Sequence, residues 1–224
     1  MQKNILISIV IVIVIAIVIL LLMRNPARAP IQSLKVEENG HQSVTGTGQY
    51  ALNLSESTLR AQGQKPLLSG YTDIGNIALK NGNISVNQGI ISGAFTVDMN
   101  SLAVESTGKG SDEPMLQKHL KSADFFDVEK YPESSFVIKS AEKTSEDDLY
   151  MISGDLTIKN ITQMINFPAV IYMKDKQLKA EGSVTLDRTK WDIKYGSGSF
   201  FDNLGDKVIS DIFLIEFNIT ADPQ

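Results

Sequence analysis

The chain has no cysteine, which excludes disulfides, thiolate zinc sites and cysteine nucleophiles. Histidine is almost as scarce. His41 and His119 stand far apart, neither with a serine and acid framework around it, so nucleophilic catalysis and histidine-based metal sites lack their residues. His119 reads as a solvated or helix-capping side chain, and His41 falls in a polar segment near the N-terminus. A positive balance is missing too: all 26 acids follow Arg28, against 18 of the 21 basic residues. That surplus of acid argues against nucleic acid as a partner and against polybasic attachment to anionic lipid. Finally, strands do not alternate with long helices, which excludes a doubly wound parallel sheet.

What is present begins with an apolar run. Ile5 to Leu22 holds eight Ile, four Val and four Leu, with Ser8 and Ala16 as its only other residues. On an insertion scale such a run contributes roughly −5 to −10 kcal/mol. At about 1.5 Å per residue it spans about 27 Å, close to a hydrocarbon core of roughly 30 Å. The run predicts a transmembrane anchor over residues 1–24. Ala27-Arg28-Ala29 imitates a signal-peptide cleavage site, but the internal Arg and the following Pro30 make it a poor one, and the run exceeds the usual hydrophobic region of a signal peptide. Residues 25–48 turn to Pro, Gln, Glu, Asn, Gly, Ser and Thr and predict a flexible stalk.

From residue 49 to 224 one domain is expected, and a period of two dominates it. Ile91, Phe95, Val97 and Met99 alternate with Ser92, Thr96 and Asp98. Ile152, Leu156 and Ile158 alternate with Ser153, Asp155, Thr157 and Lys159, and Leu178, Ala180, Val184 and Leu186 with Lys179, Glu181, Ser183, Thr185 and Asp187. Weaker alternation marks 77–79, 84–86, 136–138, 165–173 and 209–219. Turn chemistry lies between at Asn81-Gly82, Asn87-Gln88-Gly89, Glu146-Asp147-Asp148 and Asp175-Lys176. The pattern predicts a mainly β fold of about eight to ten antiparallel strands with one short helix, compatible with a closed barrel or a sandwich.

The helix belongs to an unusual connector, Met115 to Phe136. Leu116 and Leu120 share a helical face, Asp112 and Pro114 read as helix-start residues, and Phe125-Phe126 and Tyr131-Pro132 follow. Connectors are normally polar, so this one reads as a cover over an apolar opening. Gly93, Gly154 and Gly182 interrupt the inward register of the three clearest strands. Each either bends a tightly coiled strand or leaves volume unfilled; together they fit a hollow interior better than a filled one.

HLKSADFFDVEKYPESSF (His119–Phe136), GDLTIKNIT (Gly154–Thr162), DRTKWDI (Asp187–Ile193) and VISDIFLIEFNITA (Val208–Ala221) together resemble the signature of the YceI-like family, over about Tyr50 to Ala221. In the family's opening motif Tyr50 and Ser57 keep their places, while Asn53 stands for the acid and Glu56 for the histidine; in the tail Trp191 and Asp192 replace an aromatic and a glycine. The resemblance implies a lipocalin-like antiparallel barrel of about eight strands that holds an isoprenoid lipid, either a polyprenyl chain or a quinone tail, without covalent chemistry. With the short flank before Ile5, it also favours a cytoplasmic N-terminus and a periplasmic or extracellular barrel. Positive charge alone does not decide the orientation, since Lys3 precedes the run and Arg24 and Arg28 follow it.

Alternation then nominates the ligand-lining residues Phe95, Val97, Phe136, Ile152, Leu156, Ile158, Val184, Leu186, Phe213, Ile215 and Phe217, with Gly154 and Gly182 leaving space. Leu120, Phe125, Phe126, Trp191, Phe200 and Phe201 are expected near a mouth, the last two at the tip of the loop GSGSFFDNLGD (Gly196–Asp206). That loop lacks the lysine and following helix of a phosphate-binding loop. The rival reading is an exported structural or adhesion domain with a filled core.

Overall fold

The computed structural model describes residues 40–224 apart from Lys109 and Ser111. The expected anchor and residues 25–39 of the expected stalk lie outside that range; among the described residues no helix is long and apolar enough to cross a membrane. Nine strands follow one another: β1 (Thr47–Leu52), β2 (Thr58–Gln64), β3 (Thr72–Asn87), β4 (Ile90–Ser106), β5 (Glu133–Lys143), β6 (Leu149–Ile158), β7 (Ile161–Lys174), β8 (Gln177–Asp187) and β9 (Ile212–Pro223). One helix, α1 (Glu113–Lys121), stands between β4 and β5.

From β2 to β9 each strand pairs antiparallel with the next, and β9 returns to β1 and β2. The sheet is closed. β1 and β2 share one course around the barrel, since β1 pairs with Asn83 to Asn87 of β3 and β2 with Thr72 to Ile77 of the same strand. The nine segments therefore form an eight-stranded antiparallel barrel, an arrangement that leaves no exposed sheet edge. The break between β1 and β2 is held by Asn53, whose Oδ1 accepts from the backbone N–H of Ser55 and Glu56. Ser57 then ties the chain back to β9: its Oγ accepts from Thr220 N–H at 3.0 Å and donates to Thr220 O at 3.2 Å.

The hairpins at Gln88-Gly89, Lys159-Asn160 and Asp175-Lys176 place both central residues at positive φ, which matches the twist of two-residue turns. Asn81-Gly82 is not a turn. β3 runs straight through it, with register shifts between Asn76 and Ala78 and between Leu79 and Asn81. Such bulges bend a long strand around a narrow barrel, and an Asn-Gly pair tolerates them as well as it tolerates a turn. Asp112 precedes α1 in the left-handed region, φ 76°, and makes no side-chain cap.

Residues 40–48, expected as the end of a flexible stalk, pack against the barrel instead. His41 stacks on Tyr172 with ring centroids 3.6 Å apart, Gln42 exchanges backbone hydrogen bonds with Met173, and Val44 is buried in the core. One buried Val contributes about 1.5 to 3 kcal/mol, enough to hold a short polar segment in place.

Two apolar clusters occupy the barrel. The first, around Ile84, Val86, Ile91, Tyr150, Ile171, Leu178 and Ala221, fills the end where the β3–β4 hairpin turns. The second, around Phe125, Ile158, Leu186, Trp191 and Ile193, lies under the helix and the β8–β9 connection.

Candidate ligand-binding cavity

Between the two clusters lies a cavity of about 650 Å³, within the range of roughly 300 to 1,000 Å³ typical of small-molecule pockets. Its floor is made of phenylalanine rings together with Ile84, Ile91, Ile171 and Leu178 of the first cluster. Phe136, Phe167 and Phe217 form a row with successive centroids 5.6 Å apart, and Phe95 stands beside Phe136 on the paired strand. These rings rest on the first cluster, so the space above them is apolar on its lower side. Val97 and Met99 of β4, Leu156 and Ile158 of β6, Ile165 of β7, Val184 and Leu186 of β8, and Phe213 and Ile215 of β9 form the wall.

The cover is built from α1 and the turn after it. Gln117 Oε1 accepts from Val104 N–H at 3.0 Å and Lys121 Nζ donates to Asn100 O at 2.6 Å, which fastens the helix to β4. Ser122 ends the helix, its N–H and hydroxyl both donating to His119 O. Phe126 N–H then donates to Leu120 O and Tyr131 N–H to Asp127 O, so the chain curls back with Leu120, Phe125 and Phe126 against the cavity. Polar lining residues gather on one side, with Gln62, Gln64, Lys65 and Asp73 from β2, β3 and their connection, and Asp112 at the helix start.

The β8–β9 connection is fastened by Arg188, a buried cation. It donates to Ile193 O at 2.8 Å, Ser210 O at 2.9 Å, Ile209 O at 3.1 Å and Asp211 Oδ1 at 3.3 Å. Burial pushes its pKa below the ordinary arginine value, against the pull of Asp211 and Asp187. For Asp211, burial pushes upward, but hydrogen bonds from Ser197 and Ser199 and the charge of Arg188 win, holding the carboxyl below its usual range.

Fourteen of the nominated side chains line this cavity: Phe95, Val97, Leu120, Phe125, Phe126, Phe136, Ile152, Leu156, Ile158, Val184, Leu186, Phe213, Ile215 and Phe217. Five do not. Trp191 is 1% exposed and donates from Nε1 to Leu156 O, a packed prop behind the wall. Phe200 and Phe201 are half exposed and stand off the cavity, Phe200 under the Lys194 ammonium. Loop residues beyond a strand end follow no period, so alternation could not place them. Gly154 and Gly182 leave no room for cargo, because neighbouring rings fill their space: a Cβ would lie 2.5 Å from the Phe136 ring at 154 and 2.8 Å from the Phe217 ring at 182. Gly82 has the same relation to Phe95.

Alternation overlooked Phe167, in register with Ile165, Ala169 and Ile171, and Arg188, which continues the inner face of Val184 and Leu186. The period was legible at both places. His119 and Tyr195 also face the cavity, and no strand pattern reaches them.

A closed antiparallel meander around a covered apolar cavity has the architecture of a barrel with room for a small molecule. Residues 50–221 match the YceI-like domain, and the chain belongs to that family. It is 36% identical over 69 residues to a UPF0312 protein of Pseudomonas putida, and 32% identical over 84 residues to YceI of Escherichia coli. These matches cover 31% and 34% of the chain and span only 35% and 43% of those relatives' lengths. BcnA of Burkholderia cenocepacia superposes with a TM-score of 0.59 at 18% identity, over 75% of this chain and 98% of that one. A polyisoprenoid binding domain from Saccharophagus degradans does so with 0.58 at 12% identity, over 78% and 98%. At such identities the likeness is one of fold.

Proposed function

We propose that the protein holds an isoprenoid lipid, a polyprenyl chain or the tail of an isoprenoid quinone, inside the barrel for sequestration or transport. The observation that carries this reading is the apolar cavity of about 650 Å³ with a phenylalanine floor and a helical cover. Each buried CH₂ of a ligand contributes about 0.8 kcal/mol, so about ten of them gain roughly 8 kcal/mol, against several kcal/mol for ordering chain and partner. The polyisoprenoid binding domain among the similar structures supports the same ligand class.

Ile5 to Leu22 would tether the barrel to a membrane, with the N-terminus cytoplasmic and the barrel periplasmic or extracellular; the length and content of that run support the tether. Organic extraction of protein purified from native membranes, followed by mass spectrometry, tests the reading. A stoichiometric isoprenoid is expected. A stable protein that carries none, and takes up none offered, would overturn it.

A further inference from the structure

Among the side chains that line the cavity, His119 carries a polar atom that the protein leaves unpaired. His119 Nε2 is out of contact with solvent and has no hydrogen-bond partner, the only such side-chain atom among the described residues. Its ring is held edge-on between Phe125, centroids 5.2 Å apart, and Tyr195, 4.5 Å apart. All three rings line the cavity on its covered side, at the opposite end from the phenylalanine floor. Buried polar atoms are almost always paired, and an unpaired one on a side chain that lines a ligand cavity is a group that a ligand can pair with a small turn of the ring.

Resting on the isoprenoid reading above, we propose that the ligand carries a neutral oxygen head, a carbonyl or hydroxyl, hydrogen-bonded to His119 Nε2, with its tail directed to the floor. An imidazole nitrogen serves either head, donating to a carbonyl or accepting from a hydroxyl according to its tautomer. A diphosphate head fits poorly. Arg188, the buried cation of the wall, already spends its donors on three carbonyls and Asp211, and the other lining cations, Lys65 and Lys207, are matched in number by the lining acids Asp73 and Asp112. No cluster of free cations awaits a multiply charged anion there.

The test uses the full-length delipidated protein in detergent with three probes of one chain length: a prenyl alcohol, the matching hydrocarbon and the matching diphosphate. The alcohol should bind roughly tenfold tighter than the hydrocarbon, the scale of one hydrogen bond to a buried unpaired group. It should also shift the ¹⁵N resonance of His119 Nε2, which the hydrocarbon should not. His119→Phe keeps the ring between Phe125 and Tyr195 and should bring the alcohol down to the hydrocarbon's affinity; His119→Gln should restore part of the difference. Equal wild-type affinities with an unmoved Nε2 resonance would overturn the inference whether or not the Phe variant folds. Tightest binding by the diphosphate would overturn the neutral head and leave the carrier reading standing. Failure of all three probes to bind would overturn both together.

Discussion

The ring of Phe136 lies across Gly154 on the neighbouring strand, so close that a Cβ at 154 would sit 2.5 Å from the ring edge and 2.6 Å from the Val137 carbonyl. Phe217 stands in the same relation to Gly182, and Phe95 to Gly82. The missing side chains do not empty the barrel; they make room for bulky rings, which stand tilted and edge-on to one another across its interior.

Gly154→Ala should therefore destabilise the barrel by about 1 to 3 kcal/mol, the usual cost of overpacking, because the Val137 carbonyl is backbone and cannot turn away. Thermal denaturation of the lipid-free protein reads the loss. A rise in melting temperature would mean that the entropic cost of a strand glycine outweighs the contact.

Phe125 and Phe126 should separate in their effects. Phe125 is 5% exposed within the second cluster, so Phe125→Ala should cost about 3 to 5 kcal/mol of stability. Phe126 is less buried and lines the cavity, so Phe126→Ala should lower lipid retention while costing less than its neighbour. Denaturation and lipid mass spectrometry on both variants check the ordering, and a reversed ordering would exchange their roles.

Arg188→Met should cost about 3 to 5 kcal/mol, since it strips a buried cation from three carbonyls and Asp211. The Asp211 carboxyl is held below its ordinary pKa, so its stabilising contribution is full above that value, about 3.9. The contribution disappears as pH falls through the lower folded value. Melting temperature measured from neutrality downward should lose this part only below about pH 4, and Asp211→Asn should flatten that fall. A loss centred near neutrality in the wild type would contradict the assignment.

A chain starting at Gly40 should be more stable than one starting at Gly48, by about 1.5 to 3 kcal/mol for Val44 alone. Denaturant midpoints of the two proteins decide the matter. Equal midpoints would show that the His41 and Val44 contacts add nothing in solution.

If Ile5 to Leu22 anchors the protein, the full chain should remain in the membrane fraction after alkaline washing, and protease outside intact cells should release the barrel. Release by the wash would count against an anchor, and protection of the barrel against the proposed orientation.

The period of two by itself determined which residues of β4, β6, β8 and β9 face inward, because successive Cβ atoms on a strand point to opposite faces whatever the strand's neighbours are. With Val97, Ile152, Leu186 and Phe213 on one face, a half-buried antiparallel fold was legible before any pairing was known. Closure was not. A sandwich has the same alternation, and only the return of β9 to β1 and β2 makes the sheet a barrel. The glycines show the same limit from the other side: an empty position in the pattern says that a side chain is absent, while its neighbour across the strand decides what occupies the space. Gly154 met Phe136 and Gly182 met Phe217, through pairings set by register. His119 and Tyr195 reach the cavity from the connections, where no period operates beyond the strand ends, and their convergence is a product of the closed barrel alone.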